Sequence, residues 1–203
     1  MRFLLDMGTH GVFSMRCALV LLVLCMLPKP SDALTPTDQE KVVRRARLEV
    51  THGVVYDPSY RRIPYPNGDI NPKFGVCTDL VIRAYRAVGM DLQRLVHLDR
   101  SLGCSAYGGG RPDPNIDHRR CKTQIVYMRR HATALTKDVS KLAQWQPGDL
   151  VYWDLNGRGL MHVGIVSDRK NKEGRPLIIH NIGPVASEED VLAEWKVLGH
   201  YRL

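Results

Sequence analysis

The stretch Gly75-Val76-Cys77-Thr78-Asp79-Leu80 decides the fold, because it delivers a cysteine to the first turn of a predicted helix. The helix is predicted over residues 78–88 and ends before Gly89, a residue type that commonly follows a helix C-terminus. Its apolar residues recur at helical spacing on one face, namely Leu80, Val81, Ala84 and Val88. That face predicts burial against a sheet. A thiol at this end of a helix has a lowered pKa, because unpaired backbone N–H groups surround it.

Three strands are predicted downstream of this helix. A Pro147-Gly148-Asp149 turn leads into an apolar run at 150–153, and turns then separate it from runs at 162–167 and 177–182. Consecutive strands joined by turns indicate an antiparallel meander, and with the helix they give an α+β domain. Further helices are predicted at 39–51, 91–98, 125–131 and 188–195, and an edge strand at 200–202.

Residues 1–33 have the features of a secretory signal peptide. The apolar run at 18–27 is shorter than the roughly 20 residues that a spanning helix needs. Arg16 precedes the run, and small residues at Ser31 and Ala33 suit a signal peptidase. We therefore predict cleavage after Ala33, a single mature domain at 34–203 with no stable membrane span, and a periplasmic or secreted location. An uncleaved membrane anchor is the alternative.

The chain is basic, with 29 Lys and Arg against 21 Asp and Glu and a formal net charge of +8. In an exported protein, this charge fits attraction to an anionic cell wall or membrane surface, although it also fits a merely solvated surface. Basic residues are not interleaved with aromatic residues in a stripe, so we predict that nucleic acid is not a partner.

Three cysteines remain after signal cleavage: Cys77, Cys104 and Cys121. An odd number in an oxidising compartment leaves at least one free thiol. Pairing Cys104 with Cys121 across a loop rich in Gly and Pro leaves Cys77 free, and this is the disulfide that we predict. The other pairings, which place Cys77 in a disulfide, stay open because sequence does not fix connectivity.

Cys77, His162 and His180 are candidates for one catalytic site. A thiol attacks carbonyl carbon as the thiolate, so it needs a base, and that imidazole needs a partner on its other nitrogen. If the strands carrying the histidines form a hairpin, any even pairing register places both on one face, together with Gly164. We assign Cys77 as nucleophile, His162 as general base and acid, and His180 as orienting partner.

Each of these residues also has an ordinary structural interpretation. An isolated cysteine is usually a small buried hydrophobe, and a strand histidine is more often structural than catalytic. The same three residues form an acceptable zinc ligand set. Neither HExxH nor a Cys-x-x-Cys pair is present, so we predict neither a metal nor another cofactor.

Candidate substrate-binding residues lie in two loops. Tyr56 and Tyr65 belong to a group of tyrosines just upstream of the nucleophile, although such residues are more often half-buried packing groups. The longest irregular stretch, 101–124, carries Asp117, His118 and Arg119. This loop contacts substrate or, equally, stiffens the fold through ion pairs.

The strand segments resemble the NlpC-type branch of papain-like cysteine peptidases and amidases. Those domains place a cysteine at a helix N-terminus, a Gly-Asp turn, a His-Val-Gly-Ile strand and a polar residue on the next strand. The matching segments are Gly148-Asp149-Leu150-Val151, His162-Val163-Gly164-Ile165 and Ile179-His180. The resemblance implies a papain-like domain whose cysteine helix packs on an antiparallel sheet, and hydrolysis of an amide or peptide bond. Because the chain is predicted to be exported, peptidoglycan stem peptides are the leading substrate.

Further segments resemble the exported YijF-like bacterial family, a domain of unknown function. They are the segment from Gly75 to Arg86, Asn115-Ile116-Asp117-His118-Arg119-Arg120 and His180-Asn181-Ile182-Gly183, and this match covers essentially all of the mature chain. On this match, Asn181 joins the candidate substrate-binding residues. The chain departs from the common NlpC pattern in Val76-Cys77-Thr78-Asp79, where Asp-Cys-Ser-Gly is usual.

We therefore expect an exported cysteine hydrolase that cleaves an amide or peptide bond. The alternative is a non-catalytic protein on the same fold that binds the cell wall or assists envelope assembly. The departures around Cys77 affect the expected substrate more than the expected reaction.

Overall fold

The computed structural model describes residues 34–203, and the predicted signal peptide and its alternative, a membrane anchor, lie outside that range. Within it, the helices are α1 (Pro36–Thr51), α2 (Cys77–Arg86), α3 (Leu92–Leu102) and α4 (Cys121–His131). The strands are β1 (Val55–Tyr56), β2 (Phe74–Gly75), β3 (Thr133–Ala134), β4 (Leu150–Asp154), β5 (Met161–Lys170), β6 (Pro176–His180), β7 (Ser187–Glu189) and β8 (Lys196–Arg202). No helix in this part of the chain combines the length and the apolar character needed to cross a bilayer.

The main sheet has six strands in the order β3-β8-β4-β5-β6-β7, and every neighbouring pair is antiparallel. The predicted meander of β4, β5 and β6 is therefore confirmed. β1 and β2 form a separate parallel pair that leads directly into α2. The α+β class is confirmed with helices beside an antiparallel sheet.

The helix that carries Cys77 is buried as its apolar face predicted. Leu80, Val81 and Ala84 are each at most 1% exposed and belong to the same core as Val163 and Ile179 of the sheet. At about 25 cal/mol per Å² of apolar surface removed from water, full burial of one such aliphatic side chain contributes about 1.5–3 kcal/mol. The thiol at the start of α2 is therefore fixed against the sheet by the helix that follows it.

The opposite face of the sheet has its own core of Trp145, Val151, Trp153, Val166, Ile178 and Leu192. This face is covered by the segments around β7 and the turn before β4 rather than by a long helix. Asp149 of that turn accepts hydrogen bonds from His200 Nε2 at 2.8 Å and Arg202 Nε at 2.7 Å. These buried bonds fix β8 beside β4.

Two predictions near the C-terminus are wrong. The acidic helix at 188–195 is instead β7 followed by turns, because Glu188 and Glu189 pair with Ile179 and Ile178 of β6. The strand predicted at 200–202 begins at Lys196 and is not an edge strand, since the two-residue β3 pairs with its free side. Ladder pairing and cross-chain contacts outweigh the local helix propensity of an acidic segment.

The stretch at 101–124 is more ordered than predicted. It contains the end of α3, short 3₁₀ turns at Cys104–Tyr107 and Asp117–Arg119, and the start of α4. α4 begins at Cys121 rather than at Ile125, so a second cysteine occupies the first position of a helix.

Candidate functional site

Cys77 is the first residue of α2, and the backbone of Val76 before it is extended. Asp79 accepts a hydrogen bond from the N–H of Val76 at 2.8 Å, which is the capping role that its position in the first turn favours. A side chain at Gly75 would lie 3.3 Å from Cβ of Asp79, so glycine allows β2 to approach the helix start closely. The backbone thus presents Cys77 at a rigid, electrically positive helix end.

His162 and His180 lie on one face of the sheet, and Nε2 of His162 is 2.8 Å from Nδ1 of His180. The register pairs Ile165 with Ile179 and Val166 with Ile178, an even register, which is the condition for both histidines to share a face. Because His162 uses Nε2 toward His180, its Nδ1 is the nitrogen left for a thiol. Gly164 shares this face and has no room for a side chain, since an added Cβ would overlap Cγ2 of Ile178.

His180 has further polar neighbours on β7. Its Nε2 is 3.4 Å from Oγ of Ser187 and 3.5 Å from a carboxylate oxygen of Glu189. Burial, followed by the nearby His162, lowers the pKa of His180 to about 4, although Glu189 acts in the opposite direction. His180 is therefore a neutral imidazole at neutral pH, suited to hold His162 in one orientation.

Ser187 and Glu189 were missed by sequence reasoning, because both fell in or beside the wrongly predicted acidic helix. No local pattern marks 187–189 as a strand, because its pairing with β6 decides its conformation. The aromatic ring of Trp153 also stacks on His162, with centroids 5.8 Å apart and an interplanar angle of 18°. Stacking leaves the imidazole few alternative orientations.

The sulfur of Cys77 lies 3.5 Å from the sulfur of Cys121. The Cys121 thiol, His162 and the N–H of Val163 hold the pKa of Cys77 well below its usual value, against the effect of burial. The same contact with Cys77, together with burial, raises the pKa of Cys121 well above its usual value. Of the two thiols, Cys77 is therefore the one that ionises first.

Cys77 is only 7% exposed, but it opens on a cleft of about 470 Å³. The cleft wall combines thiols, aromatic rings and cationic side chains, including Cys77, Cys121, Tyr56, Tyr60, Arg119, Arg120 and Lys122. A small acyl group can reach the thiol through this opening, beside groups that attract anions.

The structure brings two of the six predicted substrate-binding residues, Tyr56 and Arg119, to the cleft. Arg119 is held there by Asp79, with hydrogen bonds of 2.7 and 2.9 Å between guanidinium and carboxylate. Its side chain therefore serves the fold as well as the cleft wall.

The other four lie away from the cleft lining. Tyr65 packs edge-on against His97, with centroids 5.1 Å apart. Asp117 is buried and paired with Arg100, which matches the alternative of an ion-paired loop. These two residues stabilise loops and are not placed to contact a substrate at Cys77.

His118 and Asn181 are buried inside the fold, each 1% exposed. Burial, followed by the neighbouring Arg119, lowers the pKa of His118 to about 3. The amide of Asn181 donates to the carbonyl oxygens of Val54 at 3.1 Å and Gly75 at 3.3 Å. Asn181 therefore ties the segments before α2 to the main sheet and lies outside the cleft lining.

The structure does not contain the predicted disulfide between Cys104 and Cys121. All three cysteines within residues 34–203 are free thiols. Cys104 lies exposed in a 3₁₀ turn, whereas the early start of α4 turns Cys121 toward Cys77. Within residues 34–203, no three or more His, Cys, Asp or Glu side chains are grouped closely enough to hold a zinc ion.

Comparison with known proteins gives a family but no activity. A domain of unknown function, DUF1287, matches residues 43–203. The uncharacterized protein YijF of Escherichia coli (strain K12) is 45% identical over 162 residues, which are 77% of this chain and 78% of that protein. The chain belongs to the DUF1287 family.

Proposed function

We propose that this chain is a cysteine hydrolase of amide or peptide bonds, with a papain-like fold of the NlpC type. The observation that carries the proposal is a cleft-lining thiol, Cys77, whose ionisation His162 favours, together with the contact between His162 and His180. The depressed pKa of Cys77, to which His162 contributes, supports the role of nucleophile. The 2.8 Å contact between the imidazoles supports an orienting role for His180.

The proposed reaction follows from these positions. The Cys77 thiolate attacks the carbonyl carbon, and the N–H of Cys77 at the helix start stabilises the developing oxyanion. His162, which has taken the proton of the Cys77 thiol, then gives this proton to the departing amine, and the acyl group stays on the sulfur. Water deprotonated by His162 attacks this thioester, releasing the acid and returning the thiol.

Peptidoglycan stem peptides are the substrate that we propose, with the protein acting in the periplasm or outside the cell. Such peptides combine amide bonds with free carboxylates. Arg120 and Lys122 are exposed on the cleft wall next to Cys121 and suit a carboxylate beside the scissile bond. The proposed export of the chain would bring it to this polymer.

Mass spectrometry of muropeptides, incubated with the reduced protein, tests the proposal. We expect the wild type to produce new fragments that differ by hydrolysis of one amide bond. Cys77→Ala should lose this activity by at least about 10³-fold, since without a thiolate no acyl-enzyme can form. Cys104→Ala is the matched control and should keep full activity, because Cys104 lies outside the cleft lining.

Equal fragment patterns for the wild type and Cys77→Ala would overturn the hydrolase. Sedimentation of both proteins with intact cell walls would then show whether the cleft serves a binding module. Binding that survives Cys77→Ala without any cleavage would favour that alternative.

A further inference from the structure

Cys121 helps to lower the pKa of Cys77 but forms no bond in the reaction described above, and its position is specific. It is the first residue of α4, as Cys77 is the first residue of α2, and the two helix starts meet at the cleft. The sulfur atoms are 3.5 Å apart, although 44 positions separate the residues along the chain. A buried cysteine that merely fills space has no need to face a second thiol.

We propose that Cys77 and Cys121 form a reversible disulfide, which makes this pair a modification site for a small disulfide oxidant. An S–S bond is about 2 Å long, so sulfurs already in contact must approach by only about 1.5 Å. Cys104 is exposed in the 3₁₀ turn and does not line the cleft that Cys77 and Cys121 share. The loss of catalysis that the bridge would cause rests on the proposed function.

Both sulfur atoms can be reached from the cleft. Cys77 is 7% exposed and Cys121 9% exposed, and both line the same cleft. A small oxidant therefore reaches either sulfur by the route that a substrate takes. The cationic groups on the cleft wall, Arg120 and Lys122, attract an oxidant that carries carboxylates, such as oxidised glutathione.

The order of the two sulfurs follows from their ionisation. Cys77 ionises first, so its thiolate attacks oxidised glutathione, forms a mixed disulfide and releases one glutathione thiolate. Cys121 then loses its proton to solvent and attacks the sulfur of Cys77, which releases the second glutathione. Two protein thiols are oxidised to one disulfide, and one disulfide is reduced to two glutathione thiols. A dithiol reductant reverses both steps.

Peptide mapping of the full chain after exposure to oxidised glutathione tests the proposal. Free thiols are blocked with iodoacetamide before tryptic digestion, which cleaves between the two sites at Arg83 and Arg120. We expect a linked peptide pair containing Cys77 and Cys121, with Cys104 alkylated or carrying only a single glutathione. Dithiothreitol should release the pair and restore at least about tenfold greater alkylation at Cys77.

Two variants sharpen the result. Cys121→Ser should stop at the mixed disulfide, with one glutathione held on Cys77, whereas Cys104→Ala should form the bridge like the wild type. Cys77 and Cys121 recovered on separate peptides in the wild type, under conditions that fully oxidise a model dithiol, would overturn the proposal. A bridge that joins Cys104 to either residue would overturn it as well.

The same experiments test the hydrolase activity and the disulfide independently. A linked Cys77–Cys121 pair in a protein whose reduced form cleaves no muropeptide would refute the proposed function and support the modification site. Cleavage that is unaffected by oxidised glutathione, with both thiols still alkylated, would refute the modification site and support the hydrolase.

Discussion

At the scale of single residues, the ionisation of Cys77 depends on neighbours from three elements. Cys121 comes from α4, and His162 and the Val163 N–H come from β5. Each favours the thiolate over the thiol, while burial favours the thiol. The balance lies with the thiolate because all three contacts converge on one sulfur.

This balance predicts the alkylation rate of Cys77 as a function of pH. In the reduced protein, iodoacetamide should modify Cys77 at pH 6 faster than it modifies a free model thiol, since the folded pKa lies below the ordinary value. His162→Ala removes one source of thiolate stabilisation, so its rate should fall at pH 6 by at least about tenfold. The alkylation rates of the two proteins should converge near pH 10, where Cys77 is ionised in both. Peptide mapping gives the rate at Cys77 separately from the rate at Cys121.

Cys104→Ala provides the control for this measurement, because it removes the exposed thiol and leaves the cleft intact. Identical pH profiles for the wild type and His162→Ala would contradict a contribution of His162 to the thiolate. A shift that appears in Cys121→Ala but not in His162→Ala would assign the low pKa to the second cysteine.

At the scale of elements, the two helices that carry the cysteines are joined by a buried ion pair. Asp79 of α2 binds Arg119 of the 3₁₀ turn before α4 through two hydrogen bonds, and Thr78 Oγ1 donates to the carbonyl of Arg119 at 2.8 Å. Both charged side chains are nearly inaccessible, at 4% and 2% exposure. The spacing between Cys77 and Cys121 therefore depends on this connection.

Asp79→Asn should destabilise the fold strongly. It keeps an acceptor for the N–H of Val76 but leaves the Arg119 charge buried without its partner, which costs about 3–5 kcal/mol. Urea unfolding measures the loss. Asp38→Asn, in the exposed first turn of α1, is the matched control and should have a much smaller effect.

The double replacement of Asp79 with Asn and Arg119 with Gln should recover part of that stability, because no charge is then left buried and unpaired. A loss for Asp79→Asn no larger than that for Asp38→Asn would contradict the role of this pair in holding the two helix starts together.

The sequence patterns predicted the elements with a strong period and missed those set by distant partners. The apolar face of α2 and the antiparallel order of β4, β5 and β6 follow from local patterns, and both are confirmed. β7 was missed because its strand state depends on pairing with β6 and on the ion pair of Glu188 with Arg47 of α1. The contact of Cys121 with Cys77 was missed for the same reason. It joins residues 44 positions apart, and no local sequence pattern contains such a contact.

At the scale of the whole molecule, two buried histidines couple stability to pH. Burial lowers the pKa of His180 to about 4 and that of His118 to about 3, whereas an unfolded histidine has a pKa of about 6.5. Below pH 6.5, the unfolded chain binds protons at these positions and the folded chain does not. Stability is therefore unaffected above this pH and falls as the pH decreases toward the folded values.

We expect each of these histidines to lower the free energy of unfolding by about 2 kcal/mol between pH 8 and pH 5. His118 allows the effect to be measured without disturbing the proposed site, since it lies outside the cleft lining and its Nδ1 has no hydrogen-bond partner. Urea unfolding of His118→Asn at both pH values should show a drop smaller than that of the wild type by that amount. The exposed His52 supplies the control, and His52→Asn should keep the wild-type drop. An unchanged drop in His118→Asn would mean that the fold admits a proton at His118, contrary to its burial between Arg119 and Arg86.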